Sequence, residues 1–266
     1  MKKILLIILI IFSSCNTRLK FLDKYSGFKG EPKKVESMYF KIDYRDSLLS
    51  EKLAFKLITF YDEKGRKIKN LEYKSDGTPS SRGQYYNYDK YGNRIRTIFY
   101  NIDSTLNVEN LYKFNDYGKE TERIYIYRNK KSITKSIYDI KKRTKQIDGQ
   151  NSIIKYDKKW KEIEYVNYDS IGKQESRTEF GYDQNGKLNS YKYYNSNNKL
   201  YKFSKLTFNK YNAPLISISY LVKDKDTIHD KTTSFKYEYD KNNNIIKEYL
   251  YTNEKLVWIT RYIYEY

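Results

Sequence analysis

Between residues 50 and 266 apolar and polar positions alternate with the period of two that places successive side chains on opposite faces of a strand. In "TTSFKYEYD", Thr233, Phe235, Tyr237 and Tyr239 fall on one face, and Ser234, Lys236 and Glu238 on the other. "ETERIYIY" separates Tyr125 and Tyr127 from Ile124 and Ile126. The terminal "VWITRYIYEY" aligns Trp258, Tyr262, Tyr264 and Tyr266. β-branched and aromatic residues favour such pleated segments, and proline is almost absent. The one helix-like stretch, "DSLLSEKLAFKL" at 46 to 57, runs straight into "ITFYD" and reads better as a turn followed by a strand.

The strands are punctuated by a repeat. An aromatic residue followed by Asp or Asn recurs at 61–62, 88–89, 114–115, 156–157, 182–183, 208–209 and 239–240, most often at spacings of 26 or 27. An irregular copy, Tyr138-Asp139, lies in the longest gap. A second series (Tyr73, Tyr100, Tyr127, Tyr168, Tyr194 and Tyr251) follows at half-period. One supersecondary unit copied along the chain explains both series. That unit is a β-hairpin. Asp62, Asp89 and Asp183 open turns by bonding nearby backbone, and Gly65, Gly92, Gly118 and Gly186 supply the residue with φ > 0. Asn212 and Asn243 stand in for glycine in two copies, while Trp160 in "YDKKWKEI" predicts a turn of another geometry. The predicted fold is all-β: a long antiparallel meander of hairpins in one twisted or coiled sheet, forming a partial shell. The tyrosine before each turn is expected to stack on its counterparts in neighbouring hairpins.

The beginning of the chain follows other rules. Lys2 and Lys3 precede nine apolar residues, Ile4 to Phe12, too few for an ordinary membrane-spanning helix and suited to a secretory signal. Ser13 and Ser14 then lead to Cys15, the only cysteine in the chain. "IFSSCN" resembles the lipobox of bacterial lipoproteins. That resemblance implies a signal peptide at 1–14, acylation of Cys15, a tether over 15–32 and a membrane partner reached through the lipid. The repeat domain would occupy 33–266. With a single cysteine, no intramolecular disulfide contributes to stability.

"YDEKGRKI", "YDKYGNRI" and "YDQNGKL" resemble YD repeats, the hairpin units of RHS and teneurin-type shells, over roughly residues 55 to 266. The chain is most similar to small YD-repeat lipoproteins of Bacteroidetes-type bacteria. The resemblance implies hairpin architecture and a position on the bacterial outer membrane. "NTRLK" after Cys15 lacks an acidic export run, which favours a periplasm-facing location over the cell surface.

Charge and chemistry add little. The formal net charge is +19, with lysines spread along the chain, as expected where they keep a β-rich surface soluble and block edge pairing. The envelope location makes nucleic acid an unlikely partner. His229, the only histidine, falls in "KDTIHDK", which reads as a polar loop. The recurrent aspartates are accounted for by turn formation, so no catalytic residue, metal ligand or cofactor is expected. Tyrosine rows flanked by lysine and asparagine suit a protein or glycan partner. The expected role is non-enzymatic binding or scaffolding. The alternatives are an immunity protein against a secreted toxin, or a glycan-binding or glycan-active protein, the last needing two carboxylates facing each other in a tyrosine-lined groove.

Overall fold

The computed structural model describes residues 30–44, 50–81, 83–115, 118–224 and 226–266. Eighteen strands account for about two thirds of them: β1 (Lys34–Asp43), β2 (Ser50–Tyr61), β3 (Lys67–Lys74), β4 (Gly83–Tyr88), β5 (Arg94–Tyr100), β6 (Leu106–Phe114), β7 (Glu120–Tyr127), β8 (Lys130–Asp139), β9 (Thr144–Ile147), β10 (Ser152–Tyr156), β11 (Glu162–Tyr168), β12 (Gln174–Tyr182), β13 (Leu188–Tyr194), β14 (Leu200–Phe208), β15 (Pro214–Lys223), β16 (Asp226–Tyr239), β17 (Ile245–Thr252) and β18 (Lys255–Glu265). Among the described residues there is no helix. The reading of 46–57 as turn then strand holds from Ser50 onward, inside β2.

All eighteen strands belong to one sheet in which consecutive strands are neighbours. The expected open meander is corrected at its ends. β1 pairs with β2 in antiparallel register from Lys34↔Phe60 to Asp43↔Ser50. Along its other side it pairs with β18 from Lys34↔Glu265 to Lys41↔Trp258. The order of strands therefore closes on itself, in the antiparallel topology of a barrel. The physical reason is the cost of edges: an unclosed sheet leaves a row of unpaired N–H and C=O groups on each outer strand, and closure pairs both rows.

The chain divides into two compact units, one built from the residues through Glu109 with Tyr237–Glu248 and Trp258–Tyr266, the other from Asn110–Lys236 with Tyr249–Val257. In the first, the buried side chains are Val35, Ile42, Ile58, Tyr61, Tyr86, Ile98 and Ile259, accompanied by Ser37, Thr59, Thr97, Asn244 and Thr260. Val35 faces Thr59 across the β1–β2 ladder, and Ile58 lies on the opposite face, so each face buries only a few residues. In the second unit the buried set shrinks to Ile124, Tyr156, Val166 and Ala213 with Ser152 and Ser204. Such thin cores place much of the fold's specification on the backbone ladder and on the turns that register it.

Candidate functional surface

The repeated turns share one construction. At the first, the Asp62 N–H donates to the Arg66 carbonyl (2.9 Å) and the Gly65 N–H returns to the Asp62 carbonyl (2.9 Å). Asp62 Oδ1 accepts from the N–H groups of Lys64 and Arg66, both at 2.9 Å. Asp89 repeats the pattern with Tyr91 (2.9 Å) and Asn93 (2.8 Å), and Asp183 with Asn185 (2.9 Å) and Lys187 (2.8 Å). Gly65, Gly92, Gly118 and Gly186 all adopt positive φ, as the sequence predicts, and so do Asn212 and Asn243. Trp160 corrects the expectation placed on it. Its φ is 60°, and its N–H donates to the Asp157 carbonyl at 3.1 Å while the Asp157 N–H reaches Lys161 at 2.8 Å. The turn is thus the same as the others. Its ring is held 5.3 Å from that of Tyr156, with the Lys119 ammonium 5.1 Å above it, contacts that offset the strain of a left-handed non-glycine residue. The half-period series carries the same box at Asp169–Gly172 and Asn195–Asn198.

The aspartates are acceptors for turn N–H groups, and this sets their charge. Burial alone would raise the Asp62 pKa, but hydrogen bonds from the Arg66 side chain and from the Arg66 and Lys64 backbone hold it below the usual carboxylate range. Asp89 is lowered in the same way by Asn93 and the turn N–H groups, against a burial effect. The Lys161 N–H is the largest influence lowering Asp157.

Three pre-turn tyrosines, and Tyr264 on β18, have a role beyond the expected ring-on-ring stacking. The hydroxyl donates to a main-chain carbonyl on the preceding strand: Tyr88 to Lys67 (2.8 Å), Tyr138 to Glu120 (3.1 Å), Tyr182 to Glu162 (2.6 Å), and Tyr264 to Ile245. The acceptor always stands five positions after the Asp or Asn of the previous turn of the series. A cation from that previous turn covers the ring. Arg66 lies 4.7 Å from the Tyr88 centroid, Lys161 5.2 Å from Tyr182 and Lys187 5.7 Å from Phe208. Lys161 also donates to the Gly186 carbonyl (2.7 Å) and Lys187 to Asn212 Oδ1. Turn is thereby stitched to turn. Stacked pairs do occur, but on strand faces, as with Tyr39–Phe55 and Phe203–Tyr220.

Two carboxylates do face each other in the second unit. Glu164 and Glu179 are direct cross-strand partners on β11 and β12, a pairing of like charges that is destabilising by itself. Arg177 bridges them, with Nη1 2.5 Å from Glu179 and 3.4 Å from Glu164. Lys155 adds a contact of 2.5 Å to Glu164, and the Tyr194 hydroxyl donates to Glu179 at 2.8 Å. Burial would raise Glu179, but Tyr194 and Arg177 hold it below its ordinary value. A general acid needs the opposite shift. The cluster is built as an ion-pair network.

His229 lies in strand β16 and not in a loop. Its ring stands edge-on to Tyr220 at 6.1 Å, and Nε2 bonds Thr232 Oγ1 at 2.7 Å. Thr227, Ile228 and Thr232 give the polar stretch strand character only once β15 is beside it. Among the described residues no group of three or more His, Cys, Asp or Glu is placed to hold a metal ion. Cys15, the signal segment and most of the tether lie outside the described residues.

No family model matches the chain, and no curated protein matches it. Among solved structures, a porin-like protein of Bacteroides vulgatus is similar at 13% identity and a TM-score of 0.40, over 86% of this chain and 97% of its own. A porin-like protein of Bacteroides uniformis is similar at 9% identity and a TM-score of 0.34, over 88% and 96%. A Vibrio parahaemolyticus domain described as belonging to an outer-membrane lipoprotein-sorting protein follows at 10% identity and a TM-score of 0.22, over 91% and 88%.

Proposed function

We propose that this chain is a lipid-anchored protein of the bacterial outer membrane, of the YD-repeat kind, whose closed hairpin sheet serves as a non-enzymatic binding or scaffolding surface. The observation that carries the reading is the leader: two lysines, nine apolar residues, Ser13-Ser14 and then the sole cysteine. A single acyl chain holds a protein only marginally, and several hold it stably, so a fully acylated Cys15 tethers the domain permanently. The described carboxylates support the non-enzymatic part, since those that face one another are bridged by Arg177 and Asp62, Asp89 and Asp157 are used up as turn acceptors. The partner of such a surface is an envelope protein or a glycan. The test is fractionation of cells labelled with a palmitate analogue. The wild-type chain labels and sediments with membranes, and Cys15→Ser does neither. Equal labelling and sedimentation of Cys15→Ser overturns the reading.

A further inference from the structure

In three copies of the repeat, the cation four positions after the opening Asp reaches the next aromatic ring of the series: Arg66 to Tyr88, Lys161 to Tyr182 and Lys187 to Phe208. Arg143 holds that place after Asp139, in the irregular copy. The ring it would cover is Tyr156, and Trp160 stands against that ring at 5.3 Å. Arg143 is left without a ring, and no carboxylate takes its place. Among the described residues every other arginine pairs with a carboxylate, as Arg123 and Arg261 do, or lies over an aromatic ring, as Arg94 and Arg128 do. Of the Arg143 guanidinium nitrogens only Nε is shut off from solvent, and it meets no acceptor. A buried donor without a partner is costly, and each one calls for a water, an ion or a function to account for it. The backbone is also held unfavourably. Its φ is 52°, in a region that a Cβ resists, and the left-handed residue stands one place later than in the other copies.

The surroundings, all within the second unit, are cationic. Lys141 and Lys142 stand exposed on the same turn, and Lys158 and Lys159 on the next. The two turns are joined, since the Tyr156 N–H donates to the Arg143 carbonyl at 2.9 Å. Their aspartates face their own backbone: Asp139 accepts from the Lys142 N–H (2.9 Å), and Asp157 from those of Lys159 (2.8 Å) and Lys161 (2.9 Å). The Lys142 ammonium lies 3.8 Å from Asp139. Exposed lysines also occur at the other strand ends of this unit, as at Lys130 and Lys173. The unpaired arginine is what sets this place apart.

We propose that Arg143 anchors a binding site for a phosphate monoester, its terminal nitrogens gripping two phosphate oxygens while lysines of the two turns add charge. A guanidinium fork matches phosphate geometry. A phosphate monoester carries about −1.5 to −2 charge at pH 7, which suits one arginine among several lysines better than a single carboxylate does. The site does not depend on acylation of Cys15. The phosphate is either free or borne by a sugar, and the test separates the two. Purified full-length protein is titrated by calorimetry with inorganic phosphate, with glucose 6-phosphate and with acetate. Saturable binding of both phosphates is expected, with acetate weaker. Equal affinity for the two assigns the phosphate group alone, and tighter binding of the sugar phosphate assigns a phosphorylated glycan. R143Q loses about tenfold to a hundredfold in affinity, the worth of a charged hydrogen bond. R143N gives the same loss and keeps the turn folded, since asparagine already serves at the left-handed positions 212 and 243. R128Q removes an arginine already seated over Tyr127 and leaves the affinity unchanged. No saturable binding, acetate bound as tightly as phosphate, wild-type affinity in R143N, or an equal loss in R128Q and R143Q overturns the proposal.

Discussion

Removing the hydroxyl of Tyr182 isolates one stitch between turns. Tyr182→Phe keeps the ring under Lys161 and deletes only the 2.6 Å bond to the Glu162 carbonyl. A hydrogen bond of this kind contributes about 0.5–1.5 kcal/mol net, so a loss of about 1 kcal/mol is expected. Tyr182→Ala removes the ring as well. A tyrosine buries about 150–250 Å² when fully enclosed; Tyr182 is partly exposed, so about 100 Å² at about 25 cal/mol per Å² gives about 2.5 kcal/mol. The Lys161 contact adds about 0.5–1 kcal/mol, bringing the alanine variant to about 4 kcal/mol below wild type. Urea unfolding with an unchanged m-value measures both. The hydroxyl is idle if Tyr182→Phe matches wild type. If Tyr182→Phe costs as much as Tyr182→Ala, the ring and its cation contribute nothing, and the stitching model fails on the other side.

Three further outcomes follow from the same geometry. At Gly92, where φ is 86° and no atom lies within 4 Å of an added Cβ, only backbone strain distinguishes substitutions; thermal melts should rank Gly92→Asn above Gly92→Ala and Gly92→Val lowest, and identical melting temperatures would refute a left-handed requirement. Asp62 has a folded-state pKa below its unfolded value, so its contribution is present above about pH 4 and is lost as pH falls through the lower folded value; Asp62→Asn, which keeps the turn as Asn195 and Asn209 do, should lose part of that acid sensitivity in pH-dependent urea midpoints, and an unchanged acid limb would argue against it. Burial pushes Tyr138 and Tyr182 up to about 12, so their contribution is present below about pH 10 and lost as pH rises through 12; ultraviolet titration of Tyr182→Phe should lack one late-ionising tyrosine, and an unaltered titration would contradict this.

The hairpins were legible because their signals are local. Asp or Asn at the first position and Gly or Asn at the fourth determine a turn within five residues, and alternation marks the strands on either side. Trp160 escaped that logic because its left-handed φ is supported by Tyr156 and by Lys119, forty-one positions earlier. Sheet closure escaped it for the same reason on a larger scale. β1 carries no repeat motif, and its partners on β18 lie more than two hundred residues away, so no spacing pointed to the pairing. The hydroxyl bonds of the tyrosines were not legible in the same way. A phenol before a turn can stack or donate, and only the strand register brings the Lys67 or Glu162 carbonyl within reach. The bridging of Glu164 and Glu179 by Arg177 likewise depends on register, since the residues sit on two strands and none belongs to the repeat signature.

The central claim, a permanent lipid anchor at the head of a closed hairpin sheet, is tested most directly by the mass of the N-terminal peptide from protein extracted from its own membranes. The account predicts a mature chain that begins at Cys15, heavier than the bare peptide by a glyceryl group and its acyl chains. A chain that retains Met1, or that begins elsewhere with Cys15 unmodified or removed, would contradict it.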